Sequence, residues 1–229
     1  PYTRPKNLYA MASVDLARAA VLARDTLGLQ VVGFDLAGEE SGYPAEAHKE
    51  AFEYAHKHFL KRTVHAGEAY GPESIFQAIT DLHADRIGHG TYLLEADQIQ
   101  DPEIEDRDHY VDMLGNYIAD RRITLEVCLT SNLQTNPHLK FLDDHTFRKL
   151  RAKRLSTTLC TDNRLMSNTT VTNELALAVK HLGLDRHDLK SIIIYGFKRS
   201  FYPGSYLNKR QYVRQIIDHY EAVEQKFTA

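Results

Sequence analysis

Residues 62–90 read RTVHAGEAYGPESIFQAITDLHADRIGHG, and they hold one complete repeat of the fold. Residues 62–66 form a short β-prone run that ends at His65. Gly67 breaks it, and Glu68 follows in the turn. Pro72 suits the first turn of a helix, which the apolar spacing carries to residue 84. Residues 86–89 then give a second short strand, ending at His89 between two glycines. Strand, helix and strand without a hairpin signal predict a parallel pair joined by a right-handed crossover.

The same unit recurs on both sides. Short apolar strands are expected near residues 30–36, 62–66, 86–89, 123–129 and 155–160. Each is followed by helical spacing, over 44–60, 72–84, 106–122 and 146–154 and in a helical carboxyl-terminal region, 170–229 (helices over 170–182, 186–200 and 208–227). A helix over 13–27 precedes them, with Ser13 able to cap it and Gly28 to stop it. Asp143 or Asp144 is the expected cap of the helix over 146–154. A polar loop fills 94–104. The expected architecture is α/β: a TIM (β/α)8-type barrel of the metal-dependent hydrolase kind. Only about five βα units are present, as one incomplete domain over 1–229. Neither GxGxxG nor GxxxxGK[ST] occurs, which argues against an open nucleotide-binding sheet.

The bulk composition excludes more than it suggests. Hydrophobic content of 43%, charged content of 26% and a net charge of −3 describe an ordinary globular chain. Nothing favours nucleic acid or a membrane as partner. Cys128 and Cys160 are expected as small core residues, and two cysteines make no disulfide framework. With no leader or spanning segment, a reducing cytoplasm is the expected location.

Five strings carry the chemistry: FDLAG (34–38), VHAGE (64–68), IGHG (87–90), EVCLTSN (126–132) and LCTDN (159–163). All fall where strands end, and the carboxyl ends of barrel strands form the catalytic face. His65 can ligate zinc, and Glu68 can serve as acid or base in the same pocket. Glu68 could equally cap the next helix or face water. The glycines around His89 permit a sharp bend and a close approach. Asp162 can bind a metal and accept a proton, or merely cap the turn that follows. Asn163 can donate and accept at any pH. His56 and His58 imitate a strand-borne HxH pair. They fall in a helix, where positions i and i+2 diverge by roughly 200°, so solvated surface histidines are expected. His48, His83, His109, His138, His145, His181, His187 and His219 are also expected at the surface.

Together, DLAGEE (35–40), TVHAGEAYGPESI (63–75), RIGHG (86–90), LEVCLTSN (125–132) and CTDNRLMSNTT (160–170) closely resemble the adenosine deaminase family of the amidohydrolase superfamily. The resemblance implies a zinc-dependent barrel that hydrolyses adenosine and 2′-deoxyadenosine to the inosines and ammonia, in purine salvage. By that resemblance His65 and Asp162 are zinc ligands, and Glu68 protonates the purine N1. His89 orients and helps deprotonate the attacking water, and Asp162 also contacts that water. The Gly38 amide meets N3, and Asn163 stands where many members place an aspartate at N7.

The family's first strand supplies two further ligands as an HxH pair, and no strand here carries it. The chain therefore corresponds to the carboxyl-terminal three-fifths of such an enzyme. By itself it is expected to hold no stoichiometric zinc and to be inactive. The absent amino-terminal part of the barrel is its expected partner, besides the small-molecule purine. Two alternatives stay open: a deaminase of another 6-aminopurine compound (adenine, aminodeoxyfutalosine or a nucleotide), and a non-catalytic fragment or pseudoenzyme.

Overall fold

The computed structural model describes residues 6–228. The chain opens with helix α1 (Lys6–Asp25), then runs β1 (Gly33–Leu36), α2 (Lys49–Lys57), β2 (Lys61–Ala66), α3 (Pro72–Thr80), β3 (Arg86–His89), α4 (Arg107–Arg121) and β4 (Thr124–Val127). It continues through α5 (Leu129–Thr135), α6 (Phe147–Ala152), β5 (Ser156–Leu159), α7 (Arg164–Ser167), α8 (Val171–Leu182), α9 (Arg186–Arg199) and α10 (Tyr206–Thr228). The five strands form one parallel sheet in sequential order, β1-β2-β3-β4-β5. That is the strand order of a barrel wall.

Register sorts the side chains into two faces. Val64, Ile87, Leu125 and Thr157 are neighbours across β2–β5, and all four are fully buried. Val64, Ile87 and Leu125 belong to the core that also contains Phe52, Ile75, Ile118, Phe147 and Leu150 from the helices. Alternation puts the next row, His65, Gly88, Glu126 and Thr158, on the opposite face. There Arg86 pairs with Glu126 at 2.6 Å, and Thr63 Oγ1 donates to Glu126 at 2.8 Å. These bonds tie β2, β3 and β4 together across the polar face.

Three helices pass into the following strand through the same closing turn. Phe59, Arg122 and Arg154 each have φ near +57° to +58°, and the next N–H returns to a carbonyl five residues back. These bonds are Leu60 to Ala55, Ile123 to Ile118 and Leu155 to Leu150. The bond satisfies a helix-end carbonyl and turns the chain back toward the sheet.

Several elements differ from the sequence-based expectation. The strand expected from residue 30 begins at Gly33, and Leu29 and Val32 are exposed. The register of β1 on β2 starts at Lys61, the first residue of β2, so among the described residues no strand pairs with those before Gly33. The helix expected over 44–60 is a 3-10 turn, Ala45–His48, followed by the shorter α2. Ser13 lies inside α1 and caps nothing; its hydroxyl bonds His48 Nδ1 at 2.8 Å. Asp143 and Asp144 sit in a 3-10 turn, and α6 begins after Thr146 with no side-chain cap. α5 and α7 were not expected, because each is short and starts within a motif at a strand end. Cys128 and Cys160 follow their strands; Cys128 is buried as expected and Cys160 only half-buried, and burial pushes both thiols up.

His145 is the clearest departure among the histidines: it is 2% exposed. His48, His58, His83 and His181 are half-buried. His145 Nδ1 accepts from Phe147 N–H at 3.0 Å, and burial lowers its pKa to about 4. A neutral histidine in the fold binds fewer protons than the same residue in the unfolded chain. Stability therefore rises with pH between these pKa values and is fully present only above about 6.5. Acidification from pH 7 to pH 4 is expected to remove about 3 kcal/mol through His145. Urea melts across that range check this, and His145→Asn should flatten the slope.

Gly88 gives a second expectation. A Cβ there would stand 3.0 Å from His65 Nδ1 and 3.2 Å from its Cγ. Gly88→Ala should therefore displace the His65 ring and cost about 1–3 kcal/mol. An unchanged urea midpoint with an unmoved His65 ring resonance would count against this packing.

Candidate active site

The strand ends bring together residues far apart in the chain. One ligating atom each from His65, His89 and Asp162 lies within 4.8 Å of the others. The His65 and His89 rings meet edge-on, with centroids 5.0 Å apart. His65 comes straight off β2, on the face opposite the helices. Alternation along β3 would turn His89 away from that face. Its backbone is left-handed instead (φ 64°), as is that of Gly90 (φ 66°), and the ring comes to lie beside His65. Asp162 is left-handed too (φ 53°). Such conformations in non-glycine residues cost of order 1–3 kcal/mol and collect at functional sites.

Hydrogen bonds from neighbouring loops hold these residues. Ser131 Oγ donates to Asp162 Oδ2 at 2.7 Å. Asn132 Nδ2 lies 3.0 Å from His89 Nδ1. Glu68 Oε1 accepts from Thr135 Oγ1 at 2.9 Å, and its Oε2 is 3.5 Å from His89 Nε2. Glu68 therefore turns toward the histidines, and Gly71 is the cap residue of α3. Ser131, Asn132 and Thr135 all ride on α5.

Two carboxylates that the sequence reading passed over build the frame. Glu40 accepts from the backbone N–H groups of Gly67, Glu68, Ala69 and Tyr70, at 3.0, 2.9, 2.6 and 3.4 Å. It shapes the loop that presents Glu68. Glu174 on α8 is fully buried. It accepts from Thr130 N–H at 3.1 Å, from the Thr130 hydroxyl and from Thr169 Oγ1 at 2.7 Å. That anchors the start of α5. A buried carboxylate needs such donors. Glu40 was visible inside DLAGEE, but the anchoring role of Glu174 had no local signal, because its partner Thr130 lies 44 residues away.

The other expected residues are placed as follows. Gly38 has φ 126° and lines a cavity of about 1010 Å3 together with Asp35, His65 and residues of α1 and α3. Glu68, His89 and Asp162 lie outside that lining. Asn163 is exposed and caps α7, its Oδ1 accepting from Met166 N–H at 3.3 Å. With Oδ1 so engaged, its amide N–H groups are what it can offer a ligand. The cap role weighed for Asp162 thus belongs to its neighbour. His56 stacks on His83, His58 on Tyr54, and neither joins the His65 cluster.

The electrostatics separate the groups. Burial raises the Glu68 pKa, and the nearby Asp162 adds to this against the Thr135 hydrogen bond and His65. Burial draws His65 down, but Asp35, Asp162 and Glu68 outweigh it, and the net displacement is upward. His89 is held well below the ordinary value, first by burial and then by His65. The His65 Nδ1 atom is buried without a hydrogen-bond partner; Asp35 Oδ1 lies 3.6 Å away. An unpartnered imidazole nitrogen, a carboxylate nearby and a protonatable acid beside them form a donor set that suits zinc.

Known proteins carry the same pattern. A family profile described as adenosine deaminase matches residues 7–219. An adenosine deaminase of Mycobacterium avium (strain 104) is 38% identical over 195 residues, which are 85% of this chain and 52% of that protein. Adenosine deaminase 1 of Streptomyces coelicolor is also 38% identical over 195 residues, covering 85% of this chain and 47% of its own length. Among solved structures, the apo N6-methyl-AMP deaminase of Arabidopsis thaliana superposes with a TM-score of 0.71 at 29% identity. That match covers 92% of this chain and 55% of the Arabidopsis chain. The chain thus spans about half the length of the relatives it matches. With the sheet order, the strand-end residues and these matches in agreement, the chain belongs to the adenosine deaminase family.

Proposed function

We propose that this chain supplies much of the active site of a hydrolytic deaminase of 6-aminopurine nucleosides, with adenosine and 2′-deoxyadenosine as substrates. The observation that carries the proposal is the meeting of His65, His89, Asp162 and a Glu68 of raised pKa at the carboxyl ends of β2, β3 and β5. His65 and Asp162 would hold a zinc ion. When bound, it supplies Lewis acidity and a water that ionises near neutral pH.

The chain's own groups then divide the proton transfers. Water adds to C6 of the purine, and one of its protons passes to the Asp162 carboxylate, oriented by Ser131. The electron pair pushed onto the ring is met at N1 by the Glu68 proton. Burial, which penalises the charged carboxylate, raises the Glu68 pKa and so favours the protonated form that this role requires. Asp162 then protonates the 6-amino nitrogen, which leaves as ammonia. The proton left on the new C6 hydroxyl returns to Glu68. The Gly38 backbone amide and the Asn163 side-chain amide would meet N3 and N7. The free thiols of Cys128 and Cys160 fit a reducing cytoplasm, and among the described residues no helix is long and apolar enough to cross a membrane.

A second substrate reading has a specific motive. The Arabidopsis relative named for N6-methyl-AMP superposes over nearly the whole chain. A nucleotide as substrate is therefore the alternative to a nucleoside. Side-by-side turnover of adenosine, AMP and N6-methyl-AMP by the natural polypeptide that carries this chain separates them. Adenosine is expected to be turned over fastest, and no turnover of any of the three would favour a non-catalytic role.

Two variants test the assigned roles in that polypeptide. Glu68→Gln should leave metal content intact and slow turnover by about 10²–10⁴-fold, since an amide cannot hand a proton to N1. Ordinary turnover in this variant would remove Glu68 from the mechanism. Asp162→Ala should lose both zinc and activity, whereas Asn163→Ala should keep the metal and mainly raise KM. Equal metal loss in both would show that the ligand is misassigned.

A further inference from the structure

His145 is a buried imidazole with no part in the reaction above, yet it stands at the head of a row that ends in the site. Phe147 N–H lies 3.0 Å from His145 Nδ1, His145 Nε2 lies 3.2 Å from Asn132 Oδ1, and Asn132 Nδ2 lies 3.0 Å from His89 Nδ1. His145 is 2% exposed, and Asn132 and His89 are 1% exposed.

Every bond in this row has a forced direction. A backbone N–H can only donate, so His145 Nδ1 must accept and carries no proton. The single proton of that ring is then on Nε2, and it is donated to Asn132 Oδ1. With its oxygen turned to His145, Asn132 points its amide nitrogen at His89 and donates to Nδ1. Turning the amide over would set the Nε2–H of His145 against an NH2 group, two donors in contact in a buried place. A donor at its Nδ1 leaves His89 only one position for its own proton, Nε2. The backbone amide of Phe147 thus sets the tautomer of His89 through two intervening side chains.

We propose that this row locks His89 as the Nε2–H tautomer, so that His89 enters the site as a hydrogen-bond donor and is neither a metal ligand nor a general base. Both alternatives need a lone pair. The Nδ1 lone pair is taken by Asn132, and the Nε2 pair carries the proton. Of the three donors gathered at the strand ends, His65 and Asp162 remain to bind a metal, and the base duty falls to Asp162 alone. His89 Nε2, 3.5 Å from Glu68 Oε2, is placed to donate to that carboxylate once it has lost its proton, or to an oxygen arriving at C6. Asn132 and His145 are positioning residues, acting through His89. The consequence for catalysis rests on the proposed deaminase reading, but the tautomer itself does not.

The test reads the tautomer directly. The natural polypeptide that carries this chain, labelled with 15N-histidine, is examined at neutral pH by long-range 1H–15N correlation, which distinguishes Nδ1–H from Nε2–H rings. The expected result is an Nε2–H ring with bare Nδ1 for both His89 and His145. A proton on Nδ1 of His89, or a doubly protonated ring, overturns the proposal. Asn132→Asp replaces the donor with a carboxylate that only accepts, and should move the His89 proton from Nε2 to Nδ1; an unchanged His89 pattern in that variant also overturns it. If the variant does not fold, the spectrum of the unmodified polypeptide decides the matter alone. The substrate assay decides the reaction and the spectrum decides the tautomer, so the two readings can fail separately.

Discussion

Parallel pairing of β2 with β3 sets His65 opposite Gly88, and the site depends on that one contact. A side chain at residue 88 would occupy the space of the imidazole, since even a methyl carbon would come within 3.0 Å of it. The absence of a side chain there leaves room for the His65 ring, which meets His89 edge-on. A slip of one residue in this register would turn His65 into the helix-covered core and bring Val64 to the polar face. The buried row Val64, Ile87, Leu125 and Thr157 opposes such a slip, because each apolar member would lose its burial. The core thus holds the site in register from the far side of the sheet.

Beyond the strand ends, control passes from the sheet to the loops. His89 and Asp162 both adopt left-handed backbone conformations, which non-glycine residues take uncommonly. Their conformations persist because neighbours hold them: Asn132 on His89, Ser131 on Asp162. Both of those neighbours stand on α5, which Glu174 anchors from α8. The loop bearing Glu68 is gathered in turn by Glu40. The reacting groups are therefore carried on short segments whose positions are set by buried or half-buried carboxylates and amides. In the surroundings this creates, one carboxylic acid is pushed toward its protonated form while one histidine is kept neutral.

Much of this was legible in the sequence. Strand-helix alternation and short apolar runs specify a parallel sheet, since each element must bury one face against the other. Chemistry-bearing residues at strand ends mark one rim of that sheet, because a parallel sheet directs all its carboxyl ends the same way. His65, His89 and Asp162 could be picked out for that reason alone. Family resemblance added roles that spacing does not give.

What the sequence could not supply was decided by contacts between distant segments. The described pairing of β1 with β2 starts at Gly33 opposite Lys61, short of the apolar run before it. His145 looked like a surface histidine, because the Phe147 amide and the Asn132 side chain that receive it become its neighbours only when the chain has folded. Glu174, 44 residues from Thr130, gave no local sign of its role. Sequence pattern determined which faces are buried and which end of the sheet carries chemistry, because both follow from the two periodicities of the backbone. The left-handed turn at His89, the direction of each hydrogen bond around it and the raised pKa of Glu68 belong to the tertiary structure alone, because each depends on the sum of burial and partners at one point in space.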